Sequence, residues 1–313
     1  MSSLPTITAV VCTRDRGERA VLAIQTILDN THPSFEVFLI DQSTTDETEH
    51  AVAPFLSDQR FQYVHTTTHG LGRARNIGLQ LAHTDIVAFT DDDCSVPPQW
   101  LEVMSATFTR HPDVTVIFSN VEPGPHDATT GFIPAYNRSK NQIIRSFWDK
   151  CRARGIGASM AVRRVPILTI GGFDDELGVG SLFPSCEDAD IAVRAIAMGQ
   201  WVYETSEVAV IHYGYRTWKE GKDLAKRDWV GIGAAYVKPL KAGHWKALIL
   251  VLYEVLMPCL LEPLSALLRL RPPRGLGRLI SFFRGFTGGL RQPIDRTLIV
   301  YRIKPRSLIP TKT

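Results

Sequence analysis

Ile86-Val87-Ala88-Phe89-Thr90-Asp91-Asp92-Asp93 is a short apolar run that stops at three consecutive acids. Apolar runs of this length belong to buried strands, and adjacent carboxylates repel one another unless a hard divalent cation with oxygen ligands shares their charge. Alternate residues of an extended segment face opposite ways. Asp91 and Asp93 are thereby sent to one side, where they can share one ion, and Asp92 to the other. A cation held there can neutralise a diphosphate. The competing reading is a solvated acidic loop at a strand end.

Working outward, 6–12, 35–40 (closed by Asp41), 61–65 and 85–90 read as strands, and 19–28, the segment behind Asp46 and 72–82 as helices. Strands alternating with helices predict βαβ units in a mainly parallel sheet flanked by helices, an α/β fold. In such sheets functional groups gather beyond the carboxyl ends of the strands, where Thr13-Arg14-Asp15, Asp41 and the acidic triplet all fall. Pro97-Pro98 opens a helix through Arg110, and 114–120 returns as a strand. Residues 121–154 are irregular and basic toward their end, an insertion suited to shaping an acceptor site. After Gly155 come a strand, a Gly171-Gly172 turn, an acidic loop, a helix from about Glu187 to Met198 and two short strands ending at Ile211-His212.

The net charge of +3 conceals a division: residues 1–218 carry 17 Lys+Arg against 26 Asp+Glu, and residues 219–313 carry 18 against 6. We therefore expect a catalytic domain over 1–218 and a basic, apolar helical extension over 219–313. A basic tail marks a membrane surface or nucleic acid as partner. Here 247–268 is a 22-residue apolar stretch whose charges are Glu254 and Glu262, interrupted by Pro258 and Pro263. Arg269, Arg271, Arg274, Arg278 and Arg284 follow, interleaved with Leu276, Leu279, Ile280, Phe282, Phe283 and Phe286. Apolar residues beside arginines suit a helix lying on anionic lipid, so 245–290 is expected to make a peripheral or re-entrant membrane attachment, with no nucleic-acid partner. The alternative is packing on the body or in a homodimer. Five scattered cysteines without a CxxC pair fit a reducing compartment, and from a start lacking signal-peptide character we expect the enzyme-like part to stay in the cytoplasm, at the cytoplasmic face of the plasma membrane.

Gly70-Leu71-Gly72 relaxes the backbone ahead of a helix bearing Arg73 and Arg75, both available to phosphate. Asp41 can accept from the imide N–H of a uracil or thymine ring, or cap the 42–46 turn. Glu187-Asp188 opens a helix, where the dipole favours acids. A base that deprotonates a hydroxyl needs a carboxylate on a fixed element, and Asp188 is the choice, with Glu187 and Trp218 as acceptor-side or supporting residues. His212, ending an apolar strand, suits a third ligand to a divalent ion.

Taken in order, Val10 to Asp15, Leu39 to Asp46, Gly72 to Asn76, Phe89 to Asp93, Gly171 to Asp174 and Glu187-Asp188 resemble the family-2 glycosyltransferases over about residues 5–218. The resemblance implies a GT-A fold, a nucleoside-diphospho-sugar donor of UDP or dTDP type, a Mn2+ or Mg2+ ion and transfer with inversion. It implies that Thr13, Arg14 and Asp41 line the nucleoside and that Arg75 approaches the diphosphate. Asp91 and Asp93 would belong to the metal motif, with Asp91 and Asp92 also among the nucleotide-sugar contacts, Asp188 would be the general base, and His212 a metal or diphosphate ligand. Gln42 stands where many members carry Asn or Asp, and Thr45 precedes Asp46 without the common glycine, which leaves the base identity open. The expectation is a metal-dependent hexosyl- or deoxyhexosyltransferase acting on a hydroxyl of a lipid-linked or polysaccharide acceptor. Three alternatives are a polyprenyl-phosphate glycosyltransferase, a sugar-1-phosphate nucleotidyltransferase, and a non-catalytic sugar-nucleotide sensor.

Overall fold

The computed structural model describes residues 4–270 and 275–302. Arg271 and Arg274, part of the expected basic cluster, lie outside the described residues, as does the side chain of Leu276. The strands are β1 (Ile7–Thr13), β2 (Phe35–Asp41), β3 (Phe61–His65), β4 (Ile86–Asp91), β5 (Cys94–Ser95), β6 (Val114–Pro123), β7 (Gly131–Phe132), β8 (Gln142–Ile144), β9 (Ser159–Arg163), β10 (Trp201–His212) and β11 (Arg216–Thr217). The main sheet runs β3-β2-β1-β4-β9-β6-β10-β5, with β8 also on β10, while β7 and β11 form a separate ribbon. Strands β1 to β4 are parallel to one another, and β10 is parallel to β6. Strand β9 runs antiparallel between β4 and β6, because the chain re-enters the sheet at the acidic edge, Ser159 opposite Thr90.

The central strands are buried on both faces, which is why they read as unbroken apolar runs. Ala9, Val11, Val37, Leu39 and Ala88 face one core, under α1 (Gly17–Leu28) and α4 (Trp100–Arg110). Val10, Phe38, Ile40, Val87 and Phe89 face the other, under α3 (Leu71–Leu81) and α7 (Glu187–Ala197). Residues 42–46 and 92–93 are irregular, so polar chemistry collects where β2 and β4 end. The two short strands expected before His212 are one long strand, with its register on β6 shifting between Thr205 and Ala209.

Beyond β11 lies α8 (Trp218–Lys241), capped by Thr217 and Glu220 in a reciprocal box. It packs on α7 and on α11 (Leu276–Arg291). Two glycines permit the crossing of α8 and α11: a Cβ on Gly233 would meet the Phe282 carbonyl, and one on Gly285 the Val230 carbonyl. Trp229, Ala234, Tyr236, Phe282 and Tyr301 share a core with the sheet, so residues past the expected 218/219 boundary pack continuously with the body. Lys238, fully buried, donates to Asp174 Oδ2 at 2.5 Å and lies 2.7 Å from Asp190 Oδ1, while the Tyr301 N–H also reaches Asp174 Oδ2 at 2.9 Å.

The apolar stretch forms α9 (Leu248–Glu254), a π-helical turn over Val255–Leu261 and α10 (Glu262–Leu268). Pro258 has no N–H to give the preceding turn, and the helix widens there. Glu254 is buried against Arg154, Nη2 to Oε2 2.9 Å. Leu248, Leu252, Leu256, Leu260, Leu264 and Leu268 form an exposed row at every fourth position.

Candidate active site

Register builds the floor of the cleft. In the parallel ladders Thr13 stands opposite Asp41 and Cys12 opposite Asp91, so the tips of β2, β1 and β4 end level. The chain turns at Asp92-Asp93 into β5, which pairs antiparallel with the end of β10 and sets Cys94 against His212. That pairing carries a histidine from more than a hundred residues downstream to the acidic triplet. A cleft of about 360 Å³ opens here, lined by Thr13, Arg14, Arg16, the three acids, His212 and Arg216 among others.

Asp91, Asp93, Cys94 and His212 each offer a ligand atom, all within 4.8 Å of one another. Asp91 and Asp93 share a side, as expected, although a turn rather than an extended strand brings them there. Asp92 turns away, accepting from Thr13 Oγ1 at 2.7 Å and from Arg16 at 3.2 Å. His212 Nδ1 lies 2.9 Å from the Pro134 carbonyl, which fixes it as a donor and leaves Nε2 facing Asp93 Oδ1 at 3.1 Å. Burial works against both partners' charges, yet the contact holds Asp93 below the usual carboxylate range and His212 above the usual imidazole value. Burial lifts Asp92 to about 6, against Arg16 and Thr13. Burial also takes the Cys94 thiol well above its ordinary value. Two carboxylates and an oriented imidazole could hold a divalent cation. Gly214 flanks the cluster: a Cβ there would stand 2.5 Å from His212 Nε2 and 2.9 Å from Asp93 Oδ2.

Behind the acids lies Arg75, only 2% exposed. Its guanidinium reaches Asp91 Oδ1 at 3.3 Å, Glu187 Oε1 at 3.0 Å and the Gly157 carbonyl at 3.4 Å. The resemblance implies a place at the diphosphate for this arginine; here it lies under the cleft, spent on holding other groups. The Gly157 N–H in turn donates to Asp188 Oδ2 at 2.6 Å. One buried cation thus joins the metal-type acids to the start of α7. Cys186, immediately before α7, takes a left-handed backbone (φ 79°), strain worth roughly 1–3 kcal/mol at the point where Glu187 and Asp188 are aimed. Burial raises Glu187 to about 7, with Arg75 opposing and Asp188 adding to the rise. Asp188 also raises Asp91, after burial and Asp93.

Other expected residues stand elsewhere. Asp41 is fully buried, with Ser43 N–H at 2.8 Å on one oxygen and Tyr63 OH at 2.8 Å on the other, so its present contacts are those of the turn-capping alternative. Arg14 lines the cleft, 2.6 Å from His69 Nδ1. Arg73 turns from the cleft to Glu176 at 3.1 Å, because α3 carries it one face away from Arg75. Trp218 stacks on Phe132, centroids 5.4 Å apart, outside the cleft. Arg16, Arg216 and Cys94 were not singled out from the sequence, yet all three belong to this corner. The available signals were Arg16 two residues beyond Arg14 and Cys94 directly behind the acidic triplet; nothing local marks Arg216.

The family model Glycosyl transferase family 2 matches residues 8–169. The glucosyl-dolichyl phosphate glucuronosyltransferase of Haloferax volcanii is 24% identical over 230 residues, 67% of this chain and 71% of that one. Among solved structures, the Pyrobaculum calidifontis mannosyltransferase PcManGT in complex with GDP-Man and Mn2+ matches with a TM-score of 0.62 at 18% identity, over 92% of this chain and 88% of its own. S. aureus TarS 1-349 in complex with UDP-GlcNAc gives a TM-score of 0.52 at 15% identity, over 74% of this chain and 66% of that chain. At such identities the likeness is one of fold, and it bears out the GT-A-like architecture.

Proposed function

Because the chain belongs to glycosyl transferase family 2, we propose that it moves a hexosyl or deoxyhexosyl group, with inversion, from a nucleoside-diphospho-sugar to a hydroxyl of a lipid-linked or polysaccharide acceptor. The observation that carries this reading is the convergence of Asp91, Asp93 and His212 from distant segments into one cluster, tied through Arg75 to the helix that bears Asp188. The solved relatives hold GDP-Man and UDP-GlcNAc, both nucleoside diphosphate sugars, and a UDP or dTDP donor is our choice for this chain.

Asp91, Asp93 and His212 would hold Mn2+ or Mg2+, an ion that neutralises charge growing on a departing diphosphate. The remaining work falls to the chain itself. Asp188 accepts the proton of the attacking hydroxyl, and its bond from the Gly157 N–H keeps that carboxylate in one orientation. Arg75 fixes Asp91 and Glu187 in register, so the metal-type acids and the base keep their separation. Arg14, Arg16 and Arg216 supply positive charge to the cleft wall.

A location on the cytoplasmic membrane face is part of the proposal. The leucine row of α9 and α10 is exposed, Arg269, Arg284 and Arg291 are exposed as well, and an 18-residue window within Trp245–Leu268 has a mean hydropathy of 1.9, with 39% of that window buried. A half-buried helix with a bare apolar side fits lying on lipid better than crossing it. The test is a panel of nucleotide sugars with and without Mn2+. Metal-dependent release of nucleoside diphosphate is expected, and pyrophosphate release from a nucleoside triphosphate, or no release with any donor, would overturn the reading.

A further inference from the structure

Beside the catalytic cleft lies a second cavity of about 800 Å³, lined by Phe132, Trp218, Lys222, Lys226, Trp229 and Arg278 among others. The first turns of α8 form the partition: Leu224 faces the cleft, while Trp218, Lys222 and Lys226 face the second cavity. Phe132 of β7 pairs with Arg216 of β11, a cleft residue, and two residues on is Pro134, whose carbonyl holds His212. At its other side the cavity meets the start of α11, beyond which Ile280 is 75% exposed.

The lining combines two chemistries. Trp218 is half exposed yet ordered, stacked on Phe132 and donating its indole N–H to the Thr129 carbonyl at 3.0 Å. Trp229 is buried beneath the Arg278 guanidinium, 5.7 Å from ring centroid to charge. Lys222 and Lys226 stand exposed on the rim. Asp223 is 2.9 Å from Lys226 and Glu262 2.7 Å from Arg278, with no acid paired to Lys222 among the described residues. Aromatic faces that bind apolar chain, under a cationic rim, recognise an amphiphile with an anionic head. A neutral glycan brings no charge to match the cations, and a free nucleotide brings no apolar chain to lie along the tryptophans.

We propose that this groove binds the phosphate and the first isoprene units of a prenyl-phosphate-linked acceptor. The inference rests on the glycosyltransferase reading and names its acceptor: the phosphate sits against Lys222, Lys226 and Arg278, the chain lies along Trp218 and Trp229, and the sugar reaches over β7 toward the cleft. The similar Haloferax protein, whose name gives it a glucosyl-dolichyl phosphate as partner, handles a molecule of this class.

The test is calorimetric titration of the full chain, in dilute nonionic detergent, with farnesyl phosphate, farnesol and inorganic phosphate. Farnesyl phosphate is expected to bind, and more tightly than either fragment. Reversing the charges at Lys222→Glu and Lys226→Glu should weaken it about tenfold or more, as should Trp218→Ala, which leaves the lysines in place. Equal binding of farnesol and farnesyl phosphate, or affinity unchanged in both variants, would overturn the proposal. A parallel titration with a panel of nucleoside diphosphates, UDP and dTDP among them, each with Mn2+, reads the catalytic cleft alone: failure of all of them in the unaltered chain sinks the transferase reading, whereas failure of farnesyl phosphate with a nucleoside diphosphate still binding sinks only the groove.

Discussion

The cleft at the tip of β4 and the C-terminal helices solve the problem of charge in opposite ways. In the cleft every acid of the triplet already has a partner: Asp91 has Arg75, Asp92 has Thr13 and Arg16, and Asp93 has His212. The helices bury a lysine on their inner side, Lys238 between Asp174 and Asp190, and leave leucines bare on the outer side. The first region is set before any ligand arrives, as transition-state stabilisation by fixed dipoles requires. The second leaves a row of leucines open to solvent. Chemistry is therefore encoded as ion-pair geometry in the body and as unsatisfied apolar surface in the extension.

The largest effect separating the two is expected from Asp93→Ala, which removes a metal-type ligand: metal-dependent transfer should fall by about a thousandfold or more in a nucleoside diphosphate release assay, while membrane flotation stays as before. Asp188→Asn keeps an acceptor for the Gly157 N–H but no base, so kcat should drop by roughly 10²–10⁴ with donor KM little changed. Near-normal turnover in that variant would instead favour an acceptor that is already ionised, a polyprenyl phosphate. Lys238→Met takes the cation from buried Asp174 and leaves Asp190 with Arg194 alone, and urea unfolding should report a loss of about 3–5 kcal/mol; an unaltered midpoint would mean the extension is not locked to the body as described. Leu256→Asp with Leu264→Asp is expected to cut binding to phosphatidylglycerol vesicles by about tenfold or more, with donor hydrolysis retained. The smallest effect concerns pH. Glu187 is raised from 4.5 to about 7 on folding. The folded chain then holds the proton more tightly, so this group's contribution is fully present below about 4.5 and is lost as pH rises through about 7. Unfolding midpoints measured from pH 4.5 to 8 should lose that slope in Glu187→Gln.

Much of the catalytic half could be read from the chain because it is local. Ile86 to Asp93 announces its own strand and its own acids, and Glu187-Asp188 announces a helix start. What could not be read is non-local. Arg75 looks like a free phosphate ligand until α3 is packed against α7, when Glu187 and Asp91 take it. Asp41 looks like a base reader until the 42–46 turn folds back and Ser43 and Tyr63 fill both its oxygens. Arg216 carries no pattern at all, since its place depends on where β11 returns to the cleft, and Arg16 shows only as a second arginine two residues beyond Arg14. In the extension, composition exposed the apolar stretch but not the row it leaves bare, nor the inner lysine, whose partners lie 64 residues upstream in the case of Asp174.

Gly233 and Gly285 bring the main chains of α8 and α11 into direct touch. A spacing fixed by peptide atoms cannot be widened by trimming side chains, so these two helices form a rigid gauge rather than an adjustable jaw. Change in what the neighbouring hollow admits must come from residues that decorate its walls, such as position 222, and any bulkier replacement at either contact point would spring the gauge itself.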